Sequence, residues 1–184
     1  MKVATVIGAD GKKTQNLHYR TGASTWVEPR KNISLKLEKR VELLTGLDTF
    51  YRKEVNTSQY FNMVNYGLGG HYIPHLDAVN SRTYKKEGWN NTFGDRIATW
   101  MFYLNTVEAG GATVFPILNL KIFPIKGSAV FWYNLLPSGV IDERTMHASC
   151  PVLLGTKWIT TKWILEYGQE FRRPCKTNIM DEDF

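Results

Sequence analysis

KWITTKWIL, residues 157–165, has the pattern of a β-strand. Isoleucine, threonine and tryptophan are enriched in strands, and the run contains no glycine or proline. Because side chains alternate between the two faces of a strand, five residues of this run share one face. They are Lys157, Ile159, Thr161, Trp163 and Leu165. Both faces carry apolar residues, so periodicity alone leaves two positions open for the lysine, inside the protein or in solvent.

Shorter runs of aromatic and β-branched residues occur along the rest of the chain, separated by Gly, Pro and Asn. Together with the run above they lie at 60–66, 97–104, 112–115, 121–123, 128–133 and 157–167. Strands spaced in this way, without helical segments between them, are typical of an all-β barrel or sandwich. We therefore expect a mainly β fold.

One clear helix precedes these strands. Between residues 32 and 46, apolar residues recur every three or four positions with charged residues between them. The apolar positions are Ile33, Leu37, Val41 and Leu44. Asn32 is a suitable N-cap, and Gly46 is suited to the position just beyond the helix end. The pattern predicts an amphipathic helix that packs on the barrel.

Length and composition fit a single globular domain. A chain of 184 residues with 43% apolar residues can bury a sizeable core. Within this domain we expect the helix in an N-terminal segment at 1–58, a barrel at 59–175, and a loose acidic tail at 176–184. No apolar run approaches the roughly 18 to 20 residues that cross a bilayer, so the sequence predicts no membrane span.

The charge balance gives no sign of a nucleic-acid partner. The chain has 23 basic and 17 acidic residues, a formal charge of +6. The basic residues occur in scattered pairs without a stripe, which indicates a solvated basic surface. The first residues lack a signal-peptide pattern, so we expect a cytosolic protein or a chain that begins inside a longer precursor.

Three further features are ambiguous from residue patterns alone. The segment from Asp77 to Ile97 is long and polar, which is typical of a mobile lid or a disordered connection. Sequons at Asn32, Asn56 and Asn90 would accept glycans in the secretory pathway. Cys150 and Cys175 lack the spacing of a zinc or redox motif, so two free thiols and one disulfide both remain open.

The densest group of metal-capable side chains is HYIPHLD, residues 71–77. In an extended chain His75 and Asp77 point to the same side, and His147 is the only histidine further along the sequence. Two imidazoles and one carboxylate form the facial triad of non-haem iron(II) oxygenases, which leaves three coordination positions free. Catalytic zinc accepts the same ligands, so this pattern leaves iron and zinc open.

Lys157 complements such an iron site. One carboxylate ligand leaves the ferrous unit with a net charge of about +1, which favours an anionic 2-oxo acid as cosubstrate. A 2-oxo diacid also needs a partner for its far carboxylate inside a dry barrel. Lys157 lies ten residues after His147 on a mostly apolar strand face. At about 4 Å and an effective dielectric near 20, the attraction would be about 4 kcal/mol before desolvation is subtracted.

Several longer motifs closely resemble the catalytic domain of collagen prolyl 4-hydroxylase α subunits, in the same order and at the same spacing. They are NYGLGGHYIPHLD (65–77), RIATW (96–100), AGGATVFP (109–116), AVFWYN (129–134), HASCPV (147–152) and GQEFRRPC (168–175). The similarity runs from about residue 4 to residue 175. A series of this length is far more specific than a single His-X-Asp motif.

The resemblance implies a double-stranded β-helix, or jelly-roll, fold with a supporting N-terminal helix. It implies an Fe(II)- and 2-oxoglutarate-dependent dioxygenase that hydroxylates peptidyl proline in collagen-like X-Pro-Gly sequences. The products would be 4-hydroxyproline, succinate and carbon dioxide. L-ascorbate is implied as the reductant that rescues iron oxidised in uncoupled turnovers.

Carried over position by position, the resemblance also implies roles for individual residues. Those that would bind iron are His75, Asp77 and His147. Those that would bind 2-oxoglutarate are Lys157, Tyr66, Thr113 and Trp163. Those placed near the substrate or the cosubstrate pocket are Tyr72 and Arg96. The polar segment at 79–95 matches the family's mobile loop over the active site.

The resemblance further implies a disulfide between Cys150 and Cys175, worth about 3 kcal/mol in the loop-entropy model. With the sequons, this bond favours the lumen of the endoplasmic reticulum. In the family, the full-length subunit pairs with protein disulfide isomerase. The family's additional N-terminal domains and signal peptide are not in this sequence, so we expect a fragment or a truncated gene product.

One position departs from the family pattern. Where those subunits have a histidine two residues after the equivalent of Trp163, this chain has Leu165. The loss of a hydrogen-bond donor would leave iron binding intact but weaken the orientation of 2-oxoglutarate. Two alternatives therefore stay open: a non-catalytic or weakly active module that binds collagen-like peptides, and a related hydroxylase of other proline-rich peptides.

Overall fold

The computed structural model describes residues 1–4, 6–7, 13–14, 16–28, 32–50, 56–78 and 93–176. This part of the chain contains fifteen strands, one α-helix and one short 3₁₀ helix. The strands are β1 (Lys2–Val3), β2 (Val6–Ile7), β3 (Lys13–Thr14), β4 (Arg20–Thr21), β5 (Ala23–Trp26), β6 (Asn62–Tyr66), β7 (His71–His75), β8 (Arg96–Tyr103), β9 (Ala109–Gly110), β10 (Thr113–Phe115), β11 (Leu120–Ile122), β12 (Ala129–Tyr133), β13 (His147–Ser149), β14 (Val152–Leu154) and β15 (Lys157–Leu165). The helices are α1 (Asn32–Thr45) and the 3₁₀ helix Glu143–Thr145.

Most strands belong to two antiparallel sheets. The six-stranded sheet has the order β1-β5-β6-β15-β8-β12, and the five-stranded sheet has the order β11-β10-β13-β7-β4. Each of the six runs predicted from the sequence overlaps one of these strands. The expectation of a mainly β fold is therefore confirmed.

Strand β15 lies in the middle of the six-stranded sheet, between β6 and β8. Its two faces are buried in different ways. The Lys157 face looks into the space between the two sheets, because the lysine contacts residues of β10 and β13. The Lys162 face is covered by α1, through Glu38. Lys157 is 0% exposed, so the structure selects the interior position of the two that periodicity left open.

An apolar cluster packs on each side of the six-stranded sheet. The cluster between the sheets consists of Val64, Tyr66, Met101, Tyr103, Phe115, Trp132, Val152 and Ile159. The cluster on the helix side consists of Val41, Leu47, Ile97, Ala98, Trp100, Leu135 and Ile164. The site described below lies on the inner side, among residues of the first cluster.

Helix α1 forms where the sequence predicts it. It begins at Asn32, the expected cap position, and ends at Thr45. Gly46 follows with a φ of 72°, a left-handed conformation that glycine adopts without a steric penalty.

The buried side of α1 differs from the one that its apolar residues suggest. Val41 is fully buried as expected, but Ile33 is 60% exposed and Leu44 is 66% exposed. Glu38, a charged residue, is buried instead. The reason is Lys162 on the outer face of β15, whose ammonium lies 2.6 Å from the Glu38 carboxylate. A buried cation needs a counter-charge, and this requirement sets the rotation of the helix about its axis.

The segment before the helix contributes strands to both sheets, which the sequence analysis did not predict. Strand β4 pairs with β7 in one sheet, and β5 pairs with β6 in the other. Gly22 lies between them, at a point where a Cβ atom would come within 2.9 Å of the Tyr66 ring. The chain thus passes from one sheet to the other where only glycine fits beside this ring.

Some predictions fall on residues outside the described ranges. The expected lid at 79–95 is described only from residue 93, the sequon at Asn90 is outside, and so is the tail beyond residue 176. Among the helices of the described part, none is long and apolar enough to cross a membrane.

Candidate metal and cosubstrate site

The three predicted metal ligands converge between the two sheets. His75 ends β7 and His147 begins β13, and these residues pair directly in the antiparallel ladder. Asp77 follows two residues after His75. One donor atom from each of the three residues lies within 4.8 Å of the others. The Nε2 atoms of His75 and His147 are 3.9 Å and 3.8 Å from the carboxylate oxygens of Asp77.

Both histidines present the same ring nitrogen to this group. Nδ1 of His75 lies 2.8 Å from the carbonyl oxygen of Ile73, and Nδ1 of His147 lies 3.0 Å from that of Thr145. A carbonyl oxygen only accepts hydrogen bonds, so Nδ1 carries the hydrogen in the neutral ring. The lone pair of each Nε2 is then directed toward Asp77 and free to bind a metal.

Asp77 is oriented by a short chain of polar side chains. The hydroxyl of Thr99 donates to Oδ2 of Asp77 at 2.8 Å, and the Asn134 amide donates to the same hydroxyl oxygen at 2.9 Å. Burial alone would raise the pKa of Asp77, but attraction by the two histidines and Arg96 outweighs it and lowers the pKa to about 2. The carboxylate is therefore ionised at neutral pH.

The protonation state of His75 also suits metal binding. Burial lowers the pKa of this imidazole to about 3, repulsion from His147 adds to the effect, and Asp77 opposes it. His75 is thus neutral at physiological pH. An ionised carboxylate and imidazoles with preset tautomers are a donor set that fits a ferrous ion, and equally a zinc ion. The residues present therefore fit the iron that the resemblance implies.

A strand irregularity places Tyr72 beside this group. The register between β7 and β13 shifts, so that His75 pairs with His147 and Tyr72 pairs with Ser149. Pro74 lies in the shifted stretch and has no N–H to donate to the ladder. A bulge of this kind changes which side a residue faces. Consequently Tyr72 stacks on His75, with ring centroids 3.6 Å apart.

A second irregularity places Arg96. At the start of β8 the register with β15 skips Ile97, which re-aims the preceding residue. Nη1 of Arg96 lies 3.3 Å from the carbonyl oxygen of Asp77, and its guanidinium carbon lies 3.8 Å from the ring centroid of Trp163. That ring in turn lies 5.9 Å from Trp26, which is 51% exposed. These side chains form a cationic and aromatic wall beside the metal ligands.

Lys157 is the cation of the inner face. Its ammonium donates to the Ser149 hydroxyl at 2.8 Å and to the Thr113 hydroxyl at 3.2 Å. The Tyr103 hydroxyl donates to the same Thr113 oxygen at 2.7 Å. The ring centroids of Tyr66 and Tyr103 lie 5.8 Å and 5.7 Å from the ammonium. Three residues predicted to bind the cosubstrate, Lys157, Thr113 and Tyr66, are thus brought together.

Trp163, the fourth predicted cosubstrate residue, lies apart from these three, and its role stays a prediction. It is six residues from Lys157 along β15, a separation of about 20 Å in an extended strand. The structure therefore places Trp163 with Arg96 beside the metal ligands, and not around the ammonium of Lys157.

The ammonium of Lys157 has no carboxylate within ion-pair distance in the part of the chain that the structure describes. Burial lowers the pKa of Lys157 to about 7, and Cys150 opposes this only in part. A buried ammonium surrounded by hydroxyl groups gains more from an anionic ligand than one that already has a counter-charge. The arrangement can bind a carboxylate.

Both cysteines are free thiols in this structure, Cys150 half-buried and Cys175 exposed. The disulfide implied by the resemblance is not formed here, and the pairing stays a prediction. Of the sequons within the described ranges, Asn32 is exposed at the start of α1, whereas Asn56 is half-buried with a shielded side-chain oxygen.

Sequence reasoning missed four polar residues that support the site. Three of them, Thr99, Tyr103 and Ser149, lie on inward faces of strands, and strand alternation from a known neighbour would have pointed to them. Ser149, for example, is two residues after His147. The fourth, Arg20, lies with its guanidinium 4.7 Å from the Tyr72 ring centroid. It comes from a two-residue strand whose sequence carries no recognisable pattern.

Comparisons with known proteins identify the family to which this chain belongs. Residues 61–165 match the model of the 2OG-Fe(II) oxygenase superfamily. Over 176 residues the chain is 46% identical to prolyl 4-hydroxylase subunit alpha-1 of Gallus gallus, which covers 94% of this chain and 32% of that protein. Over 177 residues it is 45% identical to prolyl 4-hydroxylase subunit alpha-3 of Rattus norvegicus, covering 94% and 31%. The chain spans about a third of the length of these relatives.

A solved structure confirms the fold. The viral collagen prolyl hydroxylase of Paramecium bursaria Chlorella virus-1, in its complex with 2OG, superimposes with a TM-score of 0.64. The two chains are 27% identical, and the match covers 80% of each. The expected jelly-roll architecture is therefore the one this chain adopts.

Proposed function

The chain belongs to the 2OG-Fe(II) oxygenase superfamily, and on that premise we propose that it hydroxylates peptidyl proline in collagen-like X-Pro-Gly sequences. The observation that carries this proposal is the juxtaposition of the His75, Asp77 and His147 donor atoms with the buried ammonium of Lys157. The support for proline as the target is the similarity to proteins named prolyl 4-hydroxylase subunits.

His75 and His147 would bind Fe(II) through Nε2, and Asp77 through a carboxylate oxygen. When bound, the iron would supply the oxidative chemistry, in which one atom of dioxygen enters succinate as 2-oxoglutarate loses carbon dioxide, and the other atom enters proline. The protein contributes the geometry of its ligands. Hydrogen bonds to the carbonyl oxygens of Ile73 and Thr145 fix Nδ1 as the nitrogen that carries the hydrogen in each neutral ring, so that the lone pairs of both Nε2 atoms are aimed at one point.

Lys157 would bind the far carboxylate of 2-oxoglutarate, together with Thr113 and Tyr66. The spacing along β13 supports this role, because Ser149, which contacts the ammonium, is two residues from His147. Two residues in a strand span about 7 Å, a length comparable to a five-carbon diacid. A carboxylate at this position would raise the low pKa of Lys157 and keep the ammonium charged.

The peptide would bind beside the metal ligands, near Tyr72 and Arg96. The rings of Trp163 and Trp26 continue this wall toward solvent. Proline-rich peptides adopt an extended helix with few internal hydrogen bonds, and aromatic surfaces are common partners for them. The wall therefore suits a proline-rich substrate.

The same resemblance motivates several proposals about the whole protein. We include L-ascorbate as the reductant for iron, protein disulfide isomerase as the partner of the full-length subunit, and the endoplasmic reticulum lumen as the location. A disulfide between Cys150 and Cys175 and glycans on Asn32, Asn56 or Asn90 would accompany that location. These proposals are supported by the family resemblance, and the proposed glycans also by the sequons.

Mass spectrometry of a Pro-Pro-Gly repeat peptide tests the activity. The protein is incubated with Fe(II), 2-oxoglutarate and ascorbate, and succinate is measured in parallel. We expect one oxygen atom added to the peptide for each succinate formed, and neither product with His147→Ala or Asp77→Ala. If the native protein forms succinate but adds oxygen to no proline-rich peptide in a panel, prolyl hydroxylation is wrong.

Leu165 motivates a second candidate, a weakly active or non-catalytic module that binds collagen-like peptides. Leu165 is 7% exposed and is opposite Arg96 in the β-ladder, and its side chain offers no hydrogen-bonding group. Binding of the Pro-Pro-Gly peptide to the metal-loaded protein without succinate formation would favour this candidate. A related hydroxylase of non-collagen peptides would instead show up as turnover on other members of the panel.

A further inference from the structure

Ser149 and Thr113 lie opposite each other on neighbouring strands. The ladder between β10 and β13 pairs them directly, and both are buried, with 9% and 2% exposure. Their hydroxyl groups lie within hydrogen-bond distance of the same ammonium, which Lys157 extends from the opposite sheet. Two hydroxyls from one sheet and a cation from the other thus enclose a polar pocket in an otherwise apolar interior.

Counting hydrogen-bond donors shows what this pocket lacks. Of the three N–H groups on the Lys157 ammonium, one goes to Ser149 and one to Thr113, which leaves one. The Thr113 oxygen accepts from both Lys157 and Tyr103, so its own hydrogen points elsewhere. The Ser149 hydrogen is likewise not donated to any described residue. Three donor hydrogens therefore share one pocket, and the described residues supply no acceptor for them.

Buried donors without acceptors are unfavourable, and a carboxylate offers about four lone-pair positions to satisfy them. The geometry points to Ser149 as a cosubstrate-binding residue, which donates its hydroxyl hydrogen to the far carboxylate of 2-oxoglutarate beside Lys157 and Thr113. This inference rests on the proposed function and adds a residue to its cosubstrate pocket. Hydrogen bonds to an ionised carboxylate are among the stronger ones in proteins.

The position of Ser149 also gives it a role in selecting the cosubstrate. His147 and Ser149 are the two ends of the three-residue strand β13, so one strand holds a metal ligand and a carboxylate donor at a fixed spacing. A 2-oxo acid that lacks the far carboxylate would occupy the metal end and leave the Ser149 hydroxyl without a partner. Ser149 should therefore affect the affinity for diacids of the right length and not the affinity for the chelating end.

Calorimetric titration of Mn²⁺-loaded protein with two ligands tests this role. 2-Oxoglutarate carries both the chelating end and the far carboxylate, whereas oxalate has only a chelating end. For Ser149→Ala we expect 2-oxoglutarate to bind about tenfold more weakly and oxalate to stay within about twofold of the native protein. Ser149→Cys has nearly the native volume but a weak donor, and should show the same selective loss.

Ser128→Ala is the matched control, because the Ser128 hydroxyl donates to the carbonyl oxygen of Ile125 in an exposed turn. This variant should bind both ligands like the native protein. An unchanged affinity of Ser149→Ala for 2-oxoglutarate overturns the inference. An equal loss for both ligands also overturns it, since Ser149 would then act on the metal site or the fold. Native protein that binds oxalate but not 2-oxoglutarate contradicts the proposed function itself.

Discussion

Lys157 and Lys162 lie five residues apart on the same strand, and both are 0% exposed. They point to opposite faces of the six-stranded sheet. On the outer face, the ammonium of Lys162 is 2.6 Å from the carboxylate of Glu38. On the inner face, the hydrogen bonds of Lys157 within the described residues go to the hydroxyls of Ser149 and Thr113. The two lysines differ in whether the fold itself supplies a counter-charge.

This difference separates a structural cation from a binding cation. Burial lowers the pKa of both lysines. For Lys162, the charge of Glu38 and its hydrogen bond act against that effect. For Lys157, Cys150 opposes it only in part, and the pKa falls to about 7. The proposed binding role of Lys157 therefore rests on the lack of a counter-charge among the described residues, and not on burial alone.

The largest expected effect comes from Lys157→Met. Loss of the ammonium should weaken 2-oxoglutarate binding by about a hundredfold or more, because the far carboxylate would enter a dry pocket without a cation. Affinity for Mn²⁺ should stay close to native, since the metal ligands are untouched. Calorimetric titrations with 2-oxoglutarate and with Mn²⁺ measure the two affinities. Retention of 2-oxoglutarate affinity within a few-fold would show that Lys157 is not the anchor.

The matched change on the other face, Lys162→Met, should act on stability instead. It leaves the Glu38 carboxylate buried without a partner, which costs about 3–5 kcal/mol in the free energy of unfolding. The double variant Lys162→Met with Glu38→Met should recover most of that loss. Urea unfolding measures both. Equal free energies of unfolding for Lys162→Met and Lys157→Met would contradict the difference between the two lysines.

The pH dependence of stability should also report on the burial of Lys157. Lys157 titrates near pH 7 in the folded protein and has a usual pKa of 10.5. Between these values the unfolded chain binds more protons, so stability rises with pH over that range. Relative to that of Lys157→Met, the free energy of unfolding of the native protein should rise by up to about 1.4 kcal/mol per pH unit. Urea unfolding at pH 7, 8 and 9 checks this, and parallel profiles for the two proteins would contradict it.

The smallest expected effects concern the helix that covers Lys162. Because the ion pair with Glu38 turns α1, Leu44→Ala on its exposed side should change the free energy of unfolding by less than about 0.5 kcal/mol. Val41→Ala, on the buried side, should cost about 2 kcal/mol. The same urea experiment measures both. Equal losses of unfolding free energy for the two variants would mean that Leu44 is buried like Val41, so that the apolar side of α1 packs on the barrel, as periodicity alone suggests.

Much of the fold could be predicted from the sequence, because its central strands are long enough to show their composition. The strands around Gly22 could not, since two to four residues carry too little pattern and their pairing is set by distant partners. The buried side of α1 was predicted wrongly for a different reason. Periodicity counts apolar residues and has no information on Lys162, which lies more than a hundred residues further along the chain.

The metal ligands could be proposed from residue type and spacing, because His75 and Asp77 are neighbours on one strand side. The sequence could not predict whether the Lys157 side chain faces the interior or solvent, since both faces of β15 carry apolar residues. Serine, threonine and tyrosine are too common to attract attention, so the pocket of Ser149, Thr113 and Tyr103 emerges only from the pairing of distant strands. The family resemblance identified Thr113 but not the other two.

Proton uptake during 2-oxoglutarate binding is the decisive measurement for the role of Lys157. Calorimetric titrations of Mn²⁺-loaded protein at pH 8, in two buffers of different ionisation enthalpy, give the number of protons taken up per ligand. One unit above its pKa of about 7, Lys157 is mostly neutral, and a bound carboxylate makes it charged. We expect an uptake of about 0.9 proton with 2-oxoglutarate and none with oxalate. Equal proton counts for the two ligands would contradict the assignment of Lys157 as the receptor of the far carboxylate.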